Sequence, residues 1–270
     1  GADIELEDAN ILKVTLNAPI VERGGSDVPF SFGLGGLEPN VQMGLNQVLD
    51  AFNRAASDEQ IEGVLLNVSG VSVLPAMMED LRGGLEVLRD SNKFIVAWSE
   101  TMSQRALHFN SAADEIYLHP QGGMVLNGLR SQGMFYPGMF EKLGIDVTIV
   151  RGPDNKYKSA VEPYLRKDFS GANREQQTAL LEGFWSDMST DVETSRNLKD
   201  GTLDELANQL TIRGPQDAVE AGLIDGLLYE DELMSLLSEK LDGKKPELIS
   251  LTEFTLAERF IGGVEALTAA

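Results

Sequence analysis

Short, nearly unbroken apolar runs alternate along the chain with longer segments whose apolar residues recur every three to four positions. The runs ILKVTL at 11–16, GVLLNV at 63–68 and FIVAW at 94–98 read as strands, the last two buried on both faces. Between them, Val41, Leu45, Val48, Leu49 and Phe52 share one helical face. Met77, Leu81, Leu85 and Leu88 share another, and a third helix is expected over 103–112. A two-residue period that switches repeatedly to 3.6 implies helices crossing over buried, largely parallel strands, an α/β architecture. Residues 17–40 carry Pro19, Gly24, Gly25, Pro29, Gly33, Gly35, Gly36 and Pro39 and read as loop.

The second half continues the alternation less cleanly. Strands are expected at 115–118 (EIYL), 124–129 (MVLNGL), 133–136 (GMFY) and 146–150 (DVTIV), with a helix over 137–143. The longest helical signal is 174–195, where Leu181, Phe184, Trp185, Met188 and Val192 form a stripe. Asn173 followed by Gln176 resembles a capping box at its start. A helix–strand–helix unit is expected over 215–241, with Gly222 as the residue that ends its first helix. Residues 257–270 are Ala-rich and read as a fraying helix. The expected organisation is a leader at 1–10, one domain over 11–245, and a tail or linker over 246–270.

Charge excludes several partners. The chain carries 22 Lys plus Arg against 43 Asp plus Glu, a net charge of −21, and no local basic cluster offsets it for nucleic acid. The same charge opposes docking on anionic lipid. There is no Cys, hence no disulfide framework, thiolate nucleophile or Cys zinc site. No apolar stretch is long enough to cross a bilayer. The Gly1-Ala2-Asp3 start, without Met, looks processed or engineered, so that any anchor would lie upstream.

Familiar catalytic templates are missing. The sequence has no Gly-x-Ser-x-Gly elbow, P-loop, dinucleotide fingerprint or His-Glu-x-x-His. His108 reads as a packed or solvated helix residue and His119, before Pro120, as a strand-end loop residue. Glu79-Asp80, Asp114-Glu115 and Asp231-Glu232 read as solvated faces. No cofactor or metal is expected. The dense segment is 151–168, RGPDNKYKSAVEPYLRKD, in a chain otherwise poor in Lys.

Within it, Tyr157-Lys158-Ser159-Ala160-Val161-Glu162-Pro163-Tyr164 resembles the lysine motif of the signal peptide peptidase A family, bacterial membrane-anchored peptidases with a Ser/Lys dyad. The block from Asn110 through His119 to Gly122, the segment 136–150, Phe184-Trp185 and Ala221-Gly222-Leu223-Ile224-Asp225 are similar to other parts of that family. The resemblance covers roughly 10–240 and implies a ClpP/crotonase-like spiral of ββα units with C-terminal helices. It also implies that Lys158 is the general base. The family's nucleophile position, counted from the Ser111 block, falls on Gln104, followed by Arg105-Ala106 where two glycines are expected. Asn67-Val68-Ser69-Gly70-Val71 stands where the family has its oxyanion-binding Ser-Pro-Gly-Gly. These departures match the N-terminal, lysine-bearing copy of the family's long two-copy form. The implied partners are therefore a C-terminal serine-bearing copy, apolar peptides resembling signal peptides, and further copies in a homo-oligomer. The implied location is the cell envelope, on the extracytoplasmic face of the inner membrane.

The chemistry has a clear requirement. A serine hydroxyl needs a base, and a lysine serves only when neutral. Lowering an amine from its usual value of about 10.4 to near 7 costs roughly 4–5 kcal/mol, which burial supplies by disfavouring the charged form. Glu162 would oppose this if it paired with Lys158. Ser103 is a weaker candidate nucleophile, one residue out of register, and Lys156 reads as a solvated charge. Met124, Met134, Phe135, Met139 and Phe140 are either ordinary core or the lining of an apolar groove. The competing reading is an inactive crotonase-like module that assembles or binds peptides.

Overall fold

The computed structural model describes residues 9–16, 19–24, 30–33, 36–39, 43–152 and 154–255, with 30–33 and 36–39 as backbone only. In chain order the elements are β1 (Ile11–Val14), β2 (Phe30–Gly33), β3 (Gly36–Pro39), α1 (Leu45–Ser57), β4 (Gly63–Leu66), α2 (Pro75–Asp90), β5 (Phe94–Met102), α3 (Gln104–Asn110) and β6 (Glu115–Met124). They continue as α4 (Pro137–Leu143), α5 (Glu162–Leu165), α6 (Gly171–Ser195), α7 (Thr202–Gln209), α8 (Pro215–Glu220), β7 (Gly226–Leu227), α9 (Glu230–Lys240) and β8 (Leu248–Ser250). The chain divides into a first unit, Gly1–Asn127 with Asp191–Ala270, and a second unit, Gly128–Thr190.

The first unit is built on a sheet of order β7-β6-β5-β4-β1-β8 whose pairings are all parallel. Its central strands begin with apolar runs, GVLL in β4 and FIVAW in β5, because both faces are covered there. Every residue of β4 is buried. Ile11, Leu65, Val96 and Trp98 form one cluster with Leu233, Leu237 and Leu241 at α9. Each such side chain contributes about 1.5–3 kcal/mol by leaving water. Helices α1 and α2 pack against each other, and α2 and α3 against β5. The face of α1 that is buried carries Leu45, Val48, Ala51, Phe52 and Ala55, close to the expected periodicity. Helix α2 starts with Pro75 in its first turn, where a missing N–H costs nothing. Gly222 follows α8 with φ of 72°, the left-handed conformation expected of it.

Several expectations need correction here. The loop over 17–40 contains an antiparallel hairpin, β2 with β3, although residues 17–18, 25–29, 34–35 and 40–42, with Val41, lie outside the described residues. Strand β6 does not stop at Leu118. It runs to Met124 through a register shift opposite Ser99–Thr101 of β5. This is why His119 and Pro120 sit inside a strand: a bulge needs no ladder donor there. Gly122 is required at the same place, since a Cβ would lie 1.9 Å from the carbonyl oxygen of Glu100. The segment 246–270 is not wholly tail: β8 pairs with β1 as an edge strand. Arg54 donates to the Phe254 carbonyl at 3.0 Å and lies 4.4 Å from that ring, which is buried. The Ala-rich stretch 257–270 lies outside the described residues, as do 1–8.

The second unit holds α4, α5 and α6 as far as Thr190 and contains no strand among its described residues. Residues 125–129 and 133–136, expected as strands, are irregular. So is 146–150, whose backbone makes no backbone hydrogen bond among the described residues. Its side chains still alternate: Val147 and Ile149 are half-buried, whereas Asp146, Thr148 and Val150 are exposed. The side-chain pattern of a strand is present, but no pairing neighbour exists among the described residues. The unit is held by stacked Tyr136 and Tyr164 (5.8 Å), by the edge-on pair Phe135 and Phe169 (5.1 Å), and by Tyr136 N–H to the Pro163 carbonyl at 2.7 Å. Helix α6 begins at Gly171, ahead of the expected cap. Ser170 Oγ accepts from Asn173 N at 3.1 Å and takes the capping role expected of Asn173. Along α6, Phe184 is exposed, Leu181 and Trp185 are half-buried, and Met188 and Val192 are buried.

Candidate functional site

Lys158 lies in the loop between α4 and α5, after a turn at 156–157. Its backbone is held from two directions. Its N–H donates to Asn155 O at 3.1 Å, and its carbonyl accepts from Arg151 Nη2 at 2.6 Å. The side chain itself is exposed. Among the described residues no carboxylate lies within ion-pair distance of its Nζ. Glu162, the carboxylate nearest in sequence on the α5 side, is engaged elsewhere: Oε2 accepts from Ser170 N at 3.1 Å and from Asn173 Nδ2 at 2.8 Å. Burial alone would raise the Glu162 carboxyl, but these hydrogen bonds prevail and hold it below the usual glutamate range. Glu162 is therefore the brace that joins α5 to the start of α6. It does not pair with Lys158. Lys156, by contrast, is tied down: Nζ donates to Tyr157 Oη at 2.7 Å, and that hydroxyl donates to Glu175 at 3.2 Å.

In the first unit, the carboxyl ends of β1, β4 and β5 open on a cavity of about 390 Å³ lined by Leu16, Gly70, Val71, Ser72 and Ser103. In open parallel sheets ligands sit at this end. Ser103 faces it, but its Oγ accepts from Ala106 N at 3.1 Å as the N-cap of α3, and its N–H donates to Ser69 O at 3.0 Å. Gln104 follows, with Oε1 accepting from Asn127 N at 3.2 Å. A carboxamide is no nucleophile, and the lining holds no Lys or His to activate Ser103.

Both histidines have defined places. His119 lies edge-on between Trp98 (6.4 Å) and Tyr229 (5.1 Å), within β6 and not in a loop. His108 is packed, as one of its two readings expects, and lies at the centre of a cluster that no local motif announces. Its Nε2 is 2.7 Å from Asp191 Oδ2, and Arg82 Nε is 3.4 Å from the same oxygen. Arg82 also donates to Ser111 Oγ at 2.8 Å and to Ser195 Oγ at 3.2 Å, so α2, α3 and the last turns of α6 are clasped together. Glu79 lies within 4.8 Å of these ligand atoms, a grouping that would suit a metal. The Arg82 cation already shares the Asp191 oxygen. Burial pushes the His108 pKa down, and the opposing hydrogen bond to Asp191 does not restore it.

The acidic pairs are not simply solvated either. Asp114 Oδ2 accepts from Ile95 N at 2.7 Å and pairs with Arg89 at 3.3 Å. Glu115 binds Lys240 (2.6 Å) and the Tyr117 hydroxyl (2.7 Å), and Glu232 caps α9 through Tyr229 N (2.8 Å). The five apolar residues proposed for a groove divide: Met124 is core, Met134 and Met139 are exposed, and Phe135 and Phe140 are half-buried.

The family described as peptidase family S49 matches residues 87–244. Serine protease SPPA, chloroplastic, of Arabidopsis thaliana is 29% identical over 215 residues, covering 80% of this chain and 31% of that protein. Protease 4 of Haemophilus influenzae is 28% identical over 210 residues, covering 73% of this chain and 34% of that one. The chain thus spans about a third of the length of these relatives. Among solved structures, an enoyl-CoA hydratase/isomerase family protein from Silicibacter pomeroyi aligns with TM-score 0.42 at 16% identity, over 74% of this chain and 69% of that one.

Proposed function

Because the chain belongs to peptidase family S49, we propose that it supplies the general base, Lys158, to a serine peptidase site whose nucleophile comes from a second, serine-bearing copy. The observation that carries this reading is an amine fixed by its backbone, open to solvent and unpaired with a carboxylate, inside the YKSAVEPY segment. The occupation of the nucleophile position by Gln104, already bonded to Asn127, supports a borrowed serine. Covering by a second copy desolvates the amine and favours its neutral form. The neutral amine then takes the serine proton as the hydroxyl attacks the scissile carbonyl, and the ammonium returns that proton to the leaving amine.

The substrate class proposed is apolar peptide of the signal-peptide kind. Met134, Met139, Leu143, Ile145, Leu180 and Phe184, all in the second unit, stay exposed. An exposed apolar surface of this kind marks a partner or substrate face. The stretch 146–150, unpaired among the described residues, offers further backbone groups to another chain. The setting proposed is the extracytoplasmic face of the inner membrane, reached through an anchor outside this chain. No described helix is long and apolar enough to cross a membrane.

The test is peptide hydrolysis by the 270-residue chain alone and after addition of a serine-bearing copy. Turnover is expected only in the mixture, with kcat/KM falling about 10²–10⁴-fold in Lys158→Ala and unchanged in Ser103→Ala. Turnover by the chain alone that is lost in Ser103→Ala makes Ser103 the nucleophile. Unchanged turnover of the mixture in Lys158→Ala refutes the reading.

A further inference from the structure

The segment 151–168 reverses the charge of the chain around it. It holds five cations, Arg151, Lys156, Lys158, Arg166 and Lys167, against three carboxylates, in a chain of net charge −21. Arg151, Lys156 and Arg166 line one cavity of about 520 Å³, with Glu162 and Ser170 also on its wall. Glu162 Oε2 accepts from Ser170 N and Asn173 Nδ2 and makes no ion pair with these cations among the described residues, so its single charge offsets only part of theirs. The start of α6 is likewise already satisfied by Ser170 Oγ and Glu162, so the helix terminus adds nothing to the argument. Arg151 donates to the carbonyls of Asn155 and Lys158, and among the described residues no carboxylate pairs with it. Arg166 pairs with Asp168 at 3.0 Å, but both side chains are exposed, and such a pair exchanges for an incoming anion at little cost.

We propose that this cavity is a carboxylate subsite, receiving the C-terminal carboxylate or an acidic side chain of a peptide that lies along the Lys158 loop. Arg151 Nη1 and Nε take no part in its two carbonyl bonds, and Arg166 can turn its fork from Asp168, so both guanidinium groups have N–H donors for a carboxylate. Arg151 joins the subsite to the lysine through the Lys158 carbonyl, so an occupied cavity sets a peptide's position relative to that amine. A lipid headgroup is the poorer occupant, because a net charge of −21 repels an anionic bilayer before a small cavity can engage it. That the occupant is a peptide rests on the reading of Lys158 given above. The carboxylate preference itself does not.

The experiment measures binding without turnover. Fluorescence anisotropy on the 270-residue chain compares one labelled apolar peptide in three forms: C-terminal acid, C-terminal amide, and amide with an internal Glu. At least one carboxylate form is expected to bind about tenfold tighter than the plain amide, with a gap that narrows as salt rises. Which form gains tells the terminal carboxylate from the side chain. The gap should close in Arg151→Gln and in Lys156→Gln combined with Arg166→Gln, which leaves the Arg151 clamp intact. It should persist in Lys158→Ala, with thermal unfolding unchanged in all. Equal binding of all three peptides, or a gap that survives the substitutions, overturns the proposal. So does attachment to phosphatidylserine vesicles that the acid peptide cannot displace. If instead Lys158→Ala proves fully active while the gap behaves as expected, the peptidase reading fails and the subsite stands.

Discussion

The two units of the chain use the same kinds of residue to opposite ends. In the first, apolar side chains are sealed: Ile11, Val64, Leu66, Ile95, Val96 and Leu237 are fully buried. In the second, Met134 is 70% exposed and Val150 is 94% exposed, and helix α4 has no buried residue. The first unit holds a core of its own. The second is held by a few aromatic contacts and the Glu162 brace, and it carries Lys158. The contrast sets a sealed scaffold in one unit against the unit that carries the proposed base and the proposed partner surface.

Breaking the contrast starts in the scaffold. Phe52→Ala removes a fully buried ring of α1 and should cost about 3–5 kcal/mol, seen as a lower urea midpoint. A loss below about 1 kcal/mol would mean that the first unit is not sealed.

The next effect in size concerns the clasp. Since burial lowers the His108 pKa, the unfolded chain binds more protons than the folded one between the two values. The stabilisation is therefore complete above the ordinary histidine value of about 6.5 and is lost as pH falls through the lowered one. His108→Asn should cost about 1.5 kcal/mol near pH 7.5. That cost should shrink towards pH 5, as read from paired urea titrations. A difference that grows on acidification would contradict the assigned direction.

The smallest stability effect is expected in the second unit, and its smallness sharpens the comparison. Leu180→Ser, on an exposed face of α6, should change stability by no more than about 0.5 kcal/mol. It should nevertheless weaken binding of the apolar peptide proposed as substrate, measured by fluorescence anisotropy. A stability loss comparable to that of Phe52→Ala would place Leu180 in a core.

The same contrast explains what the sequence made legible. In the first unit, period and burial agree, so 63–68, 94–98 and the helices bearing Phe52 and Leu85 appear close to where they were expected. The misses there come from non-local geometry. The bulge that extends β6 depends on Gly122 meeting Glu100, and the bond from His108 to Asp191 spans 83 positions. In the second unit the pattern misleads. The run DVTIV alternates as a strand should, but alternation records which side chains seek cover and not whether a neighbouring strand exists within the chain. Lys158 was visible only through its motif, since its composition and spacing resemble those of any solvated loop lysine.

The central claim is that Lys158 stands open on this chain and is closed by a second copy. Its most direct test is the rate at which an amine-selective acylating reagent modifies Lys158, read by mass spectrometry, with Lys167 as the exposed reference. The account predicts modification of Lys158 on the chain alone and protection of at least about tenfold once the serine-bearing copy is added, with Lys167 unaffected. Equal rates with and without that copy would contradict it.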